Sequence, residues 1–328
     1  MKNIEEQWDM KMKKAYLPIM LGFVLIAGAC SGGKPGQSTN AASSASQASG
    51  GGSGGERKPG IVTYESENGP VEVPADPQRI VGLTNAPNIA SLDGRLVGVD
   101  EWTKSNPLFA AKLADVEVVS DADLTRISEL HPDLIVAGAW MNHLDEMSEI
   151  APTIIFTWGM DYLDQQLEIG KLLGQEAQTQ AWIDDFKSRA KAAGDRIKAK
   201  HGDDVTVSVF EYDSNDIYVF GNNWAHGTEI LYQAMGLKMP DRVEQDTAEA
   251  GYYTLVQNEI PDYAGDFVVL SKNKDGNDAF LESAAWKNLP AVTGGRVMEI
   301  DSASTASSDP TTLEYLLDIF KEGFLTEP

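Results

Sequence analysis

Near the middle of the chain one helical pattern runs longer than any other, and it dictates how the rest can be arranged. From about Glu176 to Lys200 the apolar positions Trp182, Phe186, Ala190, Ala193 and Ile197 recur at intervals of four, four, three and four, the stripe of an amphipathic helix. At ~1.5 Å per residue such a helix reaches about 40 Å, enough to cross from one folded lobe to another. Gly194 inside the stripe is expected to weaken it by about 1 kcal/mol relative to alanine without ending it. Gly174 separates it from the preceding helix, and the stretch "HGDD" ends it.

On both sides of this helix, short apolar runs alternate with further helix patterns. The first half carries "RIVGL", "LVGV", "DLIVAG" and "TIIFT", and the second carries "VTVSVF", "IYVF", "FVVL" and "RVMEI". Such alternation predicts an α/β fold with largely parallel sheets. The arrangement it implies is bilobal: two Rossmann-like lobes, joined by a single long bridging helix, with a fixed cleft between them. The expected boundaries are 60–173 for the N-terminal lobe, 174–201 for the bridging helix and 202–328 for the C-terminal lobe. A hairpin is expected within "VTYESENGPVEV", where Glu67-Asn68-Gly69-Pro70 supplies turn chemistry.

Ahead of the first lobe, Lys11, Lys13 and Lys14 precede "AYLPIMLGFVLIAGAC". The apolar run Ala15–Ala29 is 15 residues long, short of the ~20 that span a bilayer. A basic segment, a short apolar core and small residues before Cys30 describe a lipoprotein signal peptide over residues 1–29, with lipid on the Cys30 sulfur after cleavage. The competing reading is an ordinary signal with an incidental cysteine. Met10 and Met12 compete with Met1 as the initiator. Cys30 is the chain's one cysteine, so no disulfide can form. Residues 31–59 after it are Gly/Ser/Ala-rich, a flexible tether with too little apolar surface to offset ordering entropy. The expected location is therefore the outer face of the cell membrane. The formal net charge of -24 over 328 residues, with no Lys/Arg block, argues against a nucleic-acid partner.

In open α/β sheets, ligands lie beyond the carboxyl ends of the strands. Thr84 and Asn85 follow "RIVGL", Trp102 follows "LVGV", Trp140 follows "DLIVAGA" and Trp158 follows "TIIFT". In the second half "VFG" leads into Asn222, Asn223, Trp224 and His226. Four of the seven tryptophans thus fall where a cleft belongs. Any one of them could simply close off a core; four, drawn from both halves, suit a bulky amphipathic ligand. The four histidines, His131, His143, His201 and His226, make no metal-ligand spacing, and there is no GxSxG elbow, P-loop or dinucleotide fingerprint. No nucleophile–base–orienter set can be assembled, so neither an enzyme nor a cofactor is expected.

The stretches "GNNWAHGTEILYQAMGLKMP", "AGYYTLVQNEIPDYAGDFVVLS" and "WKNLPAVTGGRVMEID", with "VEVPADPQRIVGL", "ISELHPDLIVAG" and "EIAPTIIF" in the first half, resemble the substrate-binding lipoproteins of iron-siderophore ABC importers. The likeness is strongest to the ferric-hydroxamate binders of Gram-positive bacteria and runs from about Ile61 to the C-terminus. It implies a periplasmic-binding-protein-like fold with little hinge motion. It also implies a ferric siderophore held between the lobes, with the protein not ligating iron directly. The partner would be an ABC permease with its ATPase, and the receptor itself a monomer.

By the same resemblance Trp224 and His226 face the ferric centre. The family pattern there is "NWGRGGE", with arginine where this chain has His226, and aromatics stand where "SASTASSDP" places Ala306. A neutral imidazole beside Trp224, donating to a chelator oxygen, is the expected contact. Unperturbed, it titrates near pH ~6.5, and the helix opening at "GTEILYQAMG" would add backbone N–H donors. The family docks on its permease through one acidic residue per lobe. Glu259 matches the C-lobe position; the N-lobe position is Thr125, with Asp123 and Glu129 nearby as substitutes. Ferric catecholates need several cations, and the strand ends offer only Lys104, Lys272 and Lys274. A neutral or cationic ferric trihydroxamate is the better match. Competing functions are a cobalamin or haem receptor of the same architecture, and a lipoprotein hydrolase or reductase acting on the ligand.

Overall fold

The structure, a computed structural model, describes residues 60–213, 216–273 and 278–326. The signal segment, Cys30, the tether and Lys274 lie outside the described residues. The first half opens with β1 (Ile61–Ser66) and β2 (Gly69–Pro74), the expected antiparallel hairpin, closed through Glu67 and Asn68. Gly69 has φ +108°, a conformation L side chains rarely adopt, which is why the turn leaves through glycine.

Five strands then form one sheet in the order β5-β4-β3-β6-β7, all parallel. They are β3 (Ile80–Gly82), β4 (Leu96–Val99), β5 (Glu117–Val118), β6 (Leu134–Gly138) and β7 (Thr153–Phe156). β6, "LIVAG", is buried along its whole length, as a central parallel strand covered on both faces must be. Strand order reverses between β3 and β6, so a crevice opens where those two strands end.

The second half carries β8 (Val207–Asp213), β9 (Asp216–Phe220), β10 (Tyr252–Leu255), β11 (Phe267–Lys272) and β12 (Val297–Asp301), in the order β10-β9-β8-β11-β12. β8, β11 and β12 are parallel, whereas β9 pairs antiparallel with both β8 and β10. Only two residues separate β8 from β9, too few for the crossover a parallel pair requires. β5 and β10, neither foreseen as strands, are the outer strands of their sheets on one side.

Between the halves runs the helix Glu176–His201, 26 residues long and about 39 Å from end to end. Phe186, Ala190, Ala193 and Ile197 of the expected stripe are buried. Trp182 is half-buried, stacks on Phe186 with centroids 5.2 Å apart, and donates its indole N–H to Glu314 Oε1 at 2.9 Å. Gly194 is a packing requirement, not a weak point: a Cβ there would come within 2.7 Å of the Met235 carbonyl carbon. One apolar cluster unites Tyr162 and Leu163 of the helix Tyr162–Leu172 with Phe186 and Ala190 of the bridging helix. The same cluster takes in Val207, Val209 and Leu313, Leu316 of the C-terminal helix Pro310–Leu325. The core therefore continues from the end of the first half into the second lobe. Ser91 adds a polar tie, donating to Asp309 Oδ1 at 2.6 Å.

Candidate ligand-binding site

Because β3, β4, β6 and β7 run parallel, the residues that follow them emerge on one edge of the N-terminal sheet. Thr84 and Asn85 are half-buried there. Trp102, Trp140 and Trp158 are 54%, 36% and 65% exposed, so these three indoles do not close off a core. Trp140 and Trp158 meet edge to face, with centroids 5.6 Å apart. The Trp140 ring folds back over Gly138, where a Cβ would collide with the ring carbons, so only glycine can sit under it. Asn85 holds φ +53° at the start of the helix Ala86–Ser91, and its Nδ2 is buried without a partner. Trp102 stands on the helix Glu101–Ser105, whose cap Asp100 accepts from the Thr103 amide at 2.9 Å and from its hydroxyl at 2.6 Å. Burial pushes the Asp100 carboxyl up, and those hydrogen bonds oppose it. Lys104, counted as a cleft cation, donates instead to the carbonyls of Leu113, Ala114 and Val116.

The second lobe reaches its site by a different route. β9 runs against β8, so residues after its carboxyl end do not emerge where the strand-end rule would put them. The chain instead doubles back through Ala225 (φ +61°) and His226 (φ +51°). His226 is only 6% exposed, its ring stacked on Phe220 with centroids 5.3 Å apart. Its backbone N–H donates to Thr305 O at 2.8 Å. Nδ1 lies 3.1 Å from Thr305 Oγ1 and 3.3 Å from Ser271 Oγ, and Nε2 lies 3.5 Å from Glu211 Oε2. The imidazole is thus turned into the lobe, and the expected pose, a ring offered to the chelator, is not the one the structure has. Burial pushes its pKa down and Glu211 pulls the other way, so the ring is neutral at neutral pH.

Trp224 is half-buried between Phe220, 6.0 Å away, and Tyr252, 4.7 Å away; Tyr252 in turn meets Tyr218 at 6.0 Å. Asn223 is exposed beside it. The structure therefore builds two aromatic groups: Trp140 with Trp158 on the first lobe, and Trp224 with Phe220, Tyr218 and Tyr252 on the second.

The expected helix after His226 is a π-helix of six residues, Glu229–Ala234. The loop amides ahead of it are already taken: Trp224 N–H donates to Thr228 Oγ1 and Ala225 N–H to Glu229 Oε1, both at 2.9 Å. The buried Glu229 carboxyl, its pKa pushed up by burial, is thus held inside that loop.

Glu211, Ser271, Ser302 and Thr305 escaped the sequence reading. Their signal was present: each apolar run along one sheet face ends in a polar residue, in "VTVSVFE", "FVVLS" and "RVMEIDS". Of the docking candidates, Glu259 is half-buried with Oε2 accepting from Val256 N–H at 3.2 Å. Asp123 is exposed and caps the helix Leu124–Glu129, and Glu129 is paired with Arg126 at 3.0 Å. Among the described residues no group of three or more His, Cys, Asp or Glu could hold a metal ion.

Residues 89–304 match the family model described as periplasmic binding protein. The iron(3+)-hydroxamate-binding protein YxeB of Bacillus subtilis (strain 168) is 32% identical over 324 residues, 95% of this chain and 97% of that protein. Among solved structures, the FhuD protein from S. pseudintermedius aligns with a TM-score of 0.74 at 33% identity, covering 82% of this chain and 99% of that one. FhuD2 from Staphylococcus aureus with bound ferrioxamine B aligns with a TM-score of 0.72 at 30% identity, covering 76% and 98%. The two-lobed α/β fold and these likenesses agree: the chain belongs to the periplasmic binding protein family, as a substrate-binding protein.

Proposed function

We propose that this chain captures a ferric siderophore of the hydroxamate class between its lobes and hands it to the permease of an ABC importer. The observation that carries the reading is the set of three exposed indoles, Trp102, Trp140 and Trp158, gathered on one sheet edge. Large flat rings with one polar tip bind a bulky amphipathic chelate well and a small hydrophilic solute poorly. The poverty of cations supports the choice of class, because Lys104 is engaged by carbonyls and Lys272 lies 3.5 Å from Glu299. A strongly anionic catecholate complex would find little counter-charge. YxeB is an iron(3+)-hydroxamate-binding protein by name, and the FhuD2 structure holds ferrioxamine B. No separate cofactor is needed; the ligand brings its own iron.

The rest of the reading is topological. Lipid on Cys30 would hold the receptor at the outer membrane face, with residues 31–59 as its tether. Glu259 on one lobe, and Asp123 or Glu129 on the other, would meet the permease as a monomer docks. Titrating the mature chain by tryptophan fluorescence tests the ligand class. Saturable quenching by ferric trihydroxamates, and none by ferric catecholates, haem or cobalamin, is the expected result. Saturation by haem or cobalamin alone would replace the proposal with that receptor class, and turnover of the ferric complex without a permease would return the enzyme reading. Retention of the chain in membranes, and its loss from them in Cys30→Ala, tests the anchor.

A further inference from the structure

The carboxylate of Glu211 has a setting that the family likeness does not explain. β8, β11 and β12 are parallel, and the face that carries Val207, Val209, Val269 and Ile300 into the core turns polar at their carboxyl ends. There Glu211 Oε2 accepts hydroxyl hydrogen bonds from Ser271 at 2.6 Å and Ser302 at 2.7 Å. Two serines that share one oxygen fix the carboxylate without neutralising it. The side chain keeps 16% of its surface exposed, so the site is not sealed. Among the described residues its ion-pair partner is His226, at 3.5 Å, and burial disfavours the charged form of that ring.

Among the described residues no lysine or arginine forms an ion pair with it. Lys104 is committed to three backbone carbonyls and Lys272 to Glu299. Glu229 is buried behind the loop, and Asp309 is occupied by the hydroxyls of Ser91, Ser307 and Thr312. The ring nearest the carboxylate is therefore a neutral imidazole that does not offset its charge.

We propose that Glu211 is a specificity-determining residue, selecting ferric trihydroxamates that carry a free ammonium group over otherwise identical neutral ones. The inference rests on the hydroxamate reading above. A carboxylate that keeps only part of its surface in water attracts a cation several ångströms away with an energy worth about fivefold in affinity at low salt, and salt screens it.

Ferrioxamine B, with its terminal ammonium, and its N-acetylated form, which lacks that charge, are the paired probes. The mature chain should bind the ammonium form about fivefold more tightly at low ionic strength, with the ratio approaching one in ~1 M salt. Glu211→Gln should bring the two affinities to a ratio of one, and its circular dichroism and urea unfolding show that the variant is folded. A wild-type ratio of one, or one that salt does not move, overturns the assignment without any mutant. So does a preference that survives in Glu211→Gln. If neither probe binds the wild-type chain, the hydroxamate reading itself falls, and the assignment with it.

Discussion

Replacing Gly194 by alanine sets two physical expectations against each other. Helix propensity alone predicts a gain of about 1 kcal/mol, since glycine is the weaker helix former. The packing predicts a loss. A Cβ on residue 194 would lie 2.7 Å from the Met235 carbonyl carbon and 2.8 Å from its Cα, and closer still to the carbonyl oxygen. These are backbone atoms, which no rotamer change can remove. Carbon atoms in good contact sit ~3.5–4.0 Å apart, so the bridging helix and the Met235 turn must separate by about 1 Å. Neither partner yields easily. Met235 N–H donates to Ile230 O at 2.8 Å where the π-helix closes, and Ala190, Ala193 and Ile197 beside Gly194 are buried. Overpacking of a tight core costs about 1–3 kcal/mol, and a clash with backbone belongs at the upper end. After the propensity gain the net loss is about 2 kcal/mol, which lowers Tm by about 3–4 °C in a chain of this size. Differential scanning calorimetry and urea unfolding measure it directly. A variant with unchanged or higher Tm would refute the close approach and leave the propensity argument standing.

Three further outcomes follow from the geometry. Trp158→Ala removes a ring that is 65% exposed, so it should leave urea stability within about 0.5 kcal/mol of wild type while weakening ferric trihydroxamate binding about tenfold; a large stability loss with intact binding would make the ring structural. Ser91→Ala deletes the hydroxyl that donates to Asp309 and touches Thr311 at 2.8 Å, a tie between the two halves worth about 1–2 kcal/mol; a loss too small to measure in urea would show that the tie does not hold them. For His226, burial holds the folded pKa below the ordinary 6.5. The unfolded chain then binds the proton first, so the stability associated with the neutral ring is full above about pH 6.5 and declines as pH falls towards the folded value. His226→Gln should flatten the stability profile between about pH 7 and pH 5, and an unaltered slope in the variant would place the acid sensitivity elsewhere.

What the sequence disclosed, and what it concealed, divides along the range of the forces involved. The long helix was legible because its apolar stripe repeats from Trp182 to Ile197, and β6 because "LIVAG" leaves no polar face. Indoles after parallel strands could be assigned to an edge because direction follows from the crossover helices. The same rule misled at β9, whose carboxyl end points the other way for want of a crossover. Gly194 read as a helix defect because the atom that requires it, the Met235 carbonyl, is 41 positions away in the chain. His226 read as a presented ligand contact because nothing local announces that Phe220, Thr305, Ser271 and Glu211 converge around it. Pattern sees periodicity and strand order; it does not see which buried polar groups find one another across the fold.

The same connections bear on how the receptor can bind. A rigid swing of the lobes would have to part the apolar cluster that Tyr162 and Leu163 share with Phe186 and Leu316, and break the Ser91–Asp309 bond. It would also disturb the segment Ser302–Thr305, which lies against the turn Pro107–Phe109 of the first half. That segment holds His226 through Thr305 and Glu211 through Ser302, so any displacement of the first lobe reaches the charged wall of the second. Affinity in such a frame comes from surfaces set in place before the ligand arrives, which lowers the ordering cost of binding. In a cleft held this way discrimination would fall to fixed groups at its wall, the carboxylate proposed above among them.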